Sequence, residues 1–359
     1  MQNENKNALV WKILVAVLSV IIVILAVIAF NKGDDKPNLD NTENSEAGSE
    51  VIKDSETESE DSQKVEESDG SETFVIFGVD SRANNLGKGT RSDSIMLINV
   101  NHDLGQVRVS SIYRDTMVKI EGHGYEKVTH AHSYGGPEFA MKTINTNFDL
   151  NVENYATFNF ITAADLIDEV GGIQMEITEA ETKYINGYIN EVNGIRGTSS
   201  AHITQAGTYN LDGTQAVAYS RIRYTAGGDF KRAERQRDVL FTLFQKVKTL
   251  GTAERIEIAE EMLDEIKTNY SSDEMTSVLY YLSKYEIVDM SAFPQVFYGG
   301  LVNGAYVEVP CTLVDMNKAL HAALLQDMDY VPSETVLQIS DVLRGKVSGP
   351  NYDMRSEEE

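Results

Sequence analysis

The chain of 359 residues has one cysteine, Cys311, which excludes an internal disulfide and any cysteine-rich zinc site. It is also short of cations: 31 Lys and Arg stand against 56 Asp and Glu, a formal net charge of −25. That balance argues against nucleic-acid binding, which relies on Lys and Arg facing phosphates. No G-x-S-x-G elbow, Walker loop or H-E-x-x-H segment occurs, and no internal repeat suggests a solenoid or propeller. Large apolar side chains are nearly missing from residues 33–72, where fifteen Asp and Glu face three Lys. Such a stretch cannot bury enough surface to offset its ordering entropy, so 31–72 is expected to be a disordered acidic linker.

The stretch immediately before the linker lacks charge altogether. Ile13 to Phe30 are eighteen uncharged positions, with Ser19 the one polar residue. As a helix they span roughly 27 Å, close to a hydrocarbon core. A transmembrane anchor over 13–30 is the expectation, with Trp11 at the interface and Lys12 able to snorkel. A cleaved signal peptide is the alternative, but its apolar region is usually ~7–15 residues. Lys6 and Lys12 ahead of the run and the acidic stretch behind it orient the segment. A cytoplasmic tail at 1–12 and an extracytoplasmic C-terminal part follow.

Order is expected from Thr73. Apolar, β-branched and aromatic residues make strands of Phe74–Asp80, Asp93–Asn101 and Gln106–Arg114, the last pair turned by Asp103-Leu-Gly105. Pro137 opens a helix to about Phe148. Tyr155–Phe160 reads as a strand, Ile161–Val170 as a helix stopped by Gly171-Gly172, and Ile173–Thr178 as a strand. Helices are expected near 212–220, 230–250, 253–268, 272–284 and 313–326, with a strand at 305–310. The alternation predicts a single α/β domain over 73–348, a mixed central β-sheet covered by helices, and an acidic tail at 349–359.

Two carboxylates stand at strand ends: Asp80 closes the first strand and Asp93 opens the second. On neighbouring strands they could meet at one edge and suit Mg²⁺, which takes one or two carboxylates plus phosphate oxygens; alternatively each merely caps a turn. The arginines favour the first reading. Of thirteen, five lie between 221 and 237, and Arg82, Arg91 and Arg114 flank the two aspartates. Guanidinium groups make bidentate contacts with phosphate oxygens. Arg232, Arg235 and Gln236 share one side of a helix, and that stripe continues into Val239, Leu243 and Val247, which should be buried. Arg237 falls off the stripe and is expected at the surface. Asp115 and Asp229 could act as bases toward a hydroxyl or merely pair with neighbouring arginines. His130 and His132 are assigned a local structural role, because no third ligand stands near.

Taken together, these runs resemble the LytR-CpsA-Psr family of bacterial envelope proteins. The matching stretches are Gly78–Arg82, Arg91–Leu97, Tyr113–Thr116, Lys127–Ala131, Tyr219–Arg223 and Gly228–Arg237. The resemblance implies a glycopolymer ligase that moves a teichoic acid, capsule or related glycan from a polyprenyl-pyrophosphate carrier to a peptidoglycan hydroxyl. It also implies Mg²⁺ on Asp80 and Asp93. Arg82, Arg114, Lys127, Arg221, Arg223, Arg232, Arg235 and Gln236 would line the pyrophosphate site, with Arg114, Asp115 and Asp229 at the chemistry. A non-catalytic regulator or polyprenyl-lipid-binding protein, and a polyprenyl-pyrophosphate phosphatase, are the rival readings.

Overall fold

The first strand, β1 (Ser71–Val79), carries an unbroken apolar run because both of its faces are covered. Successive strand residues point to opposite sides. Phe74 and Ile76 accordingly enter one core while Val75 and Phe77 enter another. In β2 (Ser92–Asn101), Met96 and Ile98 join the first core, and Ile95 and Leu97 the second. Each such side chain stabilises the fold by about 1.5–3 kcal/mol relative to exposure.

The protein is seen here as a computed structural model that describes residues 71–79, 81, 85–225, 228–251, 254–255, 258, 265–269, 284–302, 304–347 and 353–356. The anchor and cytoplasmic tail expected at 1–30, nearly all of the linker, Asp80 and Arg82 lie outside these residues, as does most of the helices expected at 253–268 and 272–284. Among the described residues, no helix is long and apolar enough to cross a membrane.

The main sheet has six strands in the order β10-β3-β2-β1-β6-β9. Its members beyond β1 and β2 are β3 (Gln106–Ile112), β6 (Asn154–Asn159), β9 (Lys267–Thr268) and β10 (Glu286–Phe293). β2 runs antiparallel to β1 and β3, whereas β6 is parallel to β1 and β10 is parallel to β3. The sheet is therefore mixed, as the hairpin at 93–114 leads one to expect. β9 corrects one expectation: 267–268 is strand, held by Ala156 and Thr157, where a helix to 268 was anticipated.

One face carries α2 (Phe160–Glu169), α3 (Glu179–Arg196), α4 (Gly213–Ser220) and α5 (Gly228–Thr249) over the first core. The other carries α1 (Val128–Phe148), α6 (Leu313–Leu325) and α7 (Glu334–Lys346) over the second. Small sheets frame these layers: a hairpin of β4 (Met117–Ile120) and β5 (Gly124–Lys127), a pair of β7 (Ile173–Ile177) and β8 (Gly207–Leu211), and β12-β11-β13. The last comprises β11 (Val296–Val302), β12 (Ala305–Pro310) and β13 (Asp353–Ser356), the latter inside the expected acidic tail.

Three helices differ from their sequence expectations: α7 (Glu334–Lys346) was not anticipated, and two others differ for identifiable physical reasons. α1 starts at Val128, nine residues before Pro137, because the chain bends at Gly136 (φ 80°) and proline then opens the second segment, where it sacrifices no helical hydrogen bond. α3 was not anticipated; Gly187 and Gly194 depress its propensity, while its buried stripe is Ile185, Ile189 and Val192. Its start is fixed by a capping box between Thr178 and Glu181.

Candidate active site

The carboxyl ends of β1, β3, β6 and β10 gather at one end of the sheet, since these four strands run the same way. Ligands of open α/β sheets sit in that position. The β2–β3 register pairs Met96 with Ser111, so three residues further on each strand Asp93 comes to face Arg114. The side chains meet there: Arg114 Nη1 lies 3.1 Å from Asp93 Oδ1. Arg114 Nε is 3.7 Å from Asp115 Oδ2, and Lys127 Nζ, at the end of β5, is 2.7 Å from Asp115 Oδ1. The result is an alternating chain of charge, Asp93–Arg114–Asp115–Lys127.

Asp93 is buried, and burial raises its carboxyl pKa above the ordinary 3.8; the Arg114 and Arg223 guanidinium charges counteract it, and Asp115 reinforces it. Arg223 therefore acts on the same carboxylate from the segment that follows α4. The first turns of α5 also close over this end of the sheet. The Phe230 ring packs edge-on against Tyr113 at 4.9 Å, and Ala233 joins Tyr113 and Ala292 in a small cluster.

On α5, Arg232 and Gln236 are each 3% exposed, and the stripe below them, Val239, Leu243 and Val247, is fully buried as expected. The Nε2 of Gln236 is buried without a hydrogen-bond partner among the described residues. Arg237, expected at the surface, is half-buried, because the helix turns it toward the side that Phe230 and Ala233 occupy.

The other arginines are placed differently. Arg221, 1% exposed, donates from Nη2 to Glu191 Oε1 at 2.9 Å, its guanidinium 5.4 Å from the Tyr188 ring centre and 5.9 Å from that of Phe160. Arg235 is engaged by protein at each of its nitrogens: Nε to Glu181 Oε1 at 2.7 Å, Nη1 to the Ile222 carbonyl at 2.9 Å, Nη2 to Thr225 Oγ1 at 2.6 Å. Arg91 is exposed, outside the charge chain. Asp80, Arg82 and the Asp229 side chain lie outside the described residues. His130 pairs with Glu126 and His132 with the Thr90 carbonyl.

Sequence reasoning did not single out Glu181 and Glu191, the carboxylates that hold Arg235 and Arg221. A signal existed for the first: Thr178-Glu-Ala-Glu181 is a capping-box sequence, which marks a helix start.

Among the described residues, no group of three or more His, Cys, Asp or Glu side chains stands close enough to hold a metal. Asp93 by itself fits an oxygen-preferring divalent cation: it is a buried carboxylate at a loop edge whose ionised form desolvation disfavours, a penalty that a cation would offset.

Comparison with known proteins gives a consistent picture. The profile of the LytR_cpsA_psr family matches residues 39–320. The chain is 30% identical over 225 residues to the polyisoprenyl-teichoic acid–peptidoglycan teichoic acid transferase TagT of Bacillus subtilis (strain 168), spanning 61% of this chain and 67% of that protein. It is 30% identical over 209 residues to the transferase TagU of Enterococcus faecalis (strain ATCC 700802 / V583), spanning 57% of this chain and 64% of that one. The structure of the LytR-CPS2A-psr family protein YwtF (TagT) with bound octaprenyl pyrophosphate lipid superposes with a TM-score of 0.53 at 25% identity, covering 73% of this chain and 94% of that one.

Proposed function

The chain belongs to the LytR_cpsA_psr family, and from that premise we propose that it transfers a glycopolymer from a polyprenyl-pyrophosphate carrier to a peptidoglycan hydroxyl. The observation that carries the reading is the Asp93–Arg114–Asp115–Lys127 chain at the carboxyl ends of the sheet, with Arg223 acting on Asp93 and the start of α5 closing over it. Transfer between phosphate esters needs mainly neutralised charge and positioning, which preorganised cations supply.

In the proposed reaction the acceptor hydroxyl oxygen attacks the phosphorus that bears the polymer. A P–O bond forms to peptidoglycan, the bond to the second phosphate breaks, and polyprenyl phosphate leaves. Arg114, Lys127, Arg223 and Arg232 hold the pyrophosphate oxygens, and Gln236 offers its unpaired amide N–H. Arg82 would add to this set from the loop after β1. Asp115 and Asp229 are the carboxylates proposed to take the hydroxyl proton; Asp115 faces Lys127 and Arg114, so its first duty is to orient them. Asp93 and Asp80 would hold Mg²⁺, which when bound neutralises phosphate oxygens. Residues 13–30 would anchor the chain in the membrane, with the domain on the outer side.

The deciding experiment incubates purified protein with lipid-linked polymer and peptidoglycan. A polymer–wall product is expected. Free phosphate without attachment would make the protein a phosphatase, and binding without turnover a lipid-binding protein or regulator.

A further inference from the structure

The segment after α4 presents Arg221 and Arg223; Ile222 is buried in the core, and the Arg221 and Ile222 backbone N–H groups bond back to the end of α4. Its side-chain fixation comes from α3. Glu191 of that helix accepts from Arg221 Nη2 at 2.9 Å. Glu181, one turn into the helix, uses both carboxylate oxygens: Oε2 accepts from the Thr178 backbone N–H and hydroxyl, both at 2.8 Å, and Oε1 accepts from Arg235 Nε at 2.7 Å. The remaining two nitrogens of Arg235 reach back across thirteen and ten residues to the Ile222 carbonyl and the Thr225 hydroxyl. Glu181 and Arg235 are each 5% exposed. A buried pair of this kind holds only when both charges are further hydrogen-bonded, and here they are.

We propose that Glu181 and Arg235 form a buried strut that fixes residues 222–225 against α3 and α5, making Glu181 a positioning residue that sets Arg223 beside the Asp93 cluster. The proposal rests on the anion-site reading above and departs from the sequence expectation that Arg235 itself contacts pyrophosphate. Arg223 lies between the two strut contacts, the Ile222 carbonyl and the Thr225 hydroxyl, so the strut holds its backbone from both sides.

The two roles for Arg235 predict opposite signs for one substitution. If Arg235 contacted the anion, replacing Glu181 by a neutral residue would remove a repulsive charge and leave binding equal or tighter. If Arg235 is a strut, the same change loosens 222–225 and weakens binding. Glu181→Gln is suited to the test, because its amide oxygen can still accept from Thr178 and keep α3 capped, while its N–H₂ opposes Arg235. The measurement is titration of octaprenyl pyrophosphate into the full chain in detergent, with amide hydrogen exchange followed over 221–225. Glu181→Gln should weaken binding about tenfold, and speed exchange at 221–225 at least as much, while the thermal midpoint stays that of a folded domain. The Glu181→Gln/Arg235→Gln double variant should bind no worse than Arg235→Gln alone, as residues acting through one another do. Thr225→Val, which deletes one strand of the strut and leaves α3 untouched, should weaken binding by about threefold and covers the case in which Glu181→Gln fails to fold. Equal or tighter binding by Glu181→Gln, or unchanged exchange at 221–225, overturns the proposal. Arg232→Ala tests the underlying reading separately. If the wild type does not bind octaprenyl pyrophosphate at all, that reading falls and hydrogen exchange alone decides whether the strut exists.

Discussion

The two helical layers that sandwich the sheet are cross-linked by different chemistry. In the α2–α5 layer buried guanidinium groups are tied to carboxylates: Arg196 to Asp165 and Asp168 and Arg221 to Glu191, all three carboxylates partly exposed, and Arg235 to the buried Glu181. In the α1–α6–α7 layer the links are rings, amides and hydroxyls. His132 donates from Nδ1 to the Thr90 carbonyl at 2.9 Å, and Asn147 exchanges two 2.8 Å hydrogen bonds with the Lys119 backbone. Asn317 donates to the Asn147 carbonyl, His321 to that of Phe148, and Tyr330 and Ser333 converge on Asp149. The lesson is that charge is concentrated on the side that shapes the anion site. There, arginines must be held in place, and carboxylates do so directionally; the other layer needs only packing and satisfied polar groups.

Asp93, where the layers meet, offers the sharpest break. Burial raises its carboxyl pKa, so above pH 3.8 its charge in the folded state costs stability, and that cost is relieved as pH falls through the folded-state value. Asp93→Asn should therefore cut transfer by more than about a hundredfold while raising the thermal midpoint at pH 7 and flattening the acid side of the stability curve. A variant that loses stability in step with activity would mean that the ion pair with Arg114 outweighs the desolvation of the Asp93 carboxylate. EDTA should reproduce the activity loss in the wild type without the rise in midpoint.

Next in size is a break in the α1–α6–α7 layer. Burial pushes the His132 imidazole from 6.5 down to about 4, so the stability it contributes is present above pH 6.5 and is lost as pH falls toward 4. The linked loss amounts to about 3 kcal/mol. His132→Gln should remove that slope in urea titrations between pH 4 and 6.5, with octaprenyl pyrophosphate binding unchanged at neutral pH. An undiminished slope would assign the acid sensitivity to other groups.

In the charged layer, Arg232→Ala should weaken octaprenyl pyrophosphate binding by roughly ten- to hundredfold, the loss of a charge-assisted contact worth about 1.5–3 kcal/mol. Arg232→Lys should recover only part of it, since a point charge does not reproduce a planar fork. Isothermal titration at two salt concentrations checks both. The smallest effect belongs to an exposed pair on the same helix. Lys231 and Glu234, each about half exposed, should contribute below about 0.5 kcal/mol, so Lys231→Ala should alter the midpoint by no more than a degree or so. A larger effect would mean that exposure is a poor guide to which charges matter here.

Much of the sheet's centre was readable from the sequence because β1 and β2 are buried on both faces, and such strands are written as continuous apolar runs. The helix stripe of Val239, Leu243 and Val247 was readable for the same reason: burial imposes a period. β10 and β11 were not, since residues such as Glu286, Val288, Asp289, Val296 and Leu301 remain exposed and blur the alternation. α3 hid behind its glycines although its capping box stood in plain letters. At the site, the residue types were legible and their partners were not. That Asp93 faces Arg114 follows from strand register, and that Arg235 turns to Glu181 follows from a contact across 54 residues; neither is a local property of the chain.

The parallel pairing of β3 with β10 has a consequence for biogenesis. Gln106 is matched to Glu286, so the strand that seals this flank of the sheet is translated about 180 residues after the one it protects. Until it arrives, β3 offers a row of unpaired peptide groups along an open sheet edge, the arrangement through which nascent chains join one another. A chain cut before Glu286 would keep most of the anion-site cations yet should be recovered as aggregate, and the full-length chain should gain its solubility late, when residues 286–293 zip onto that exposed border.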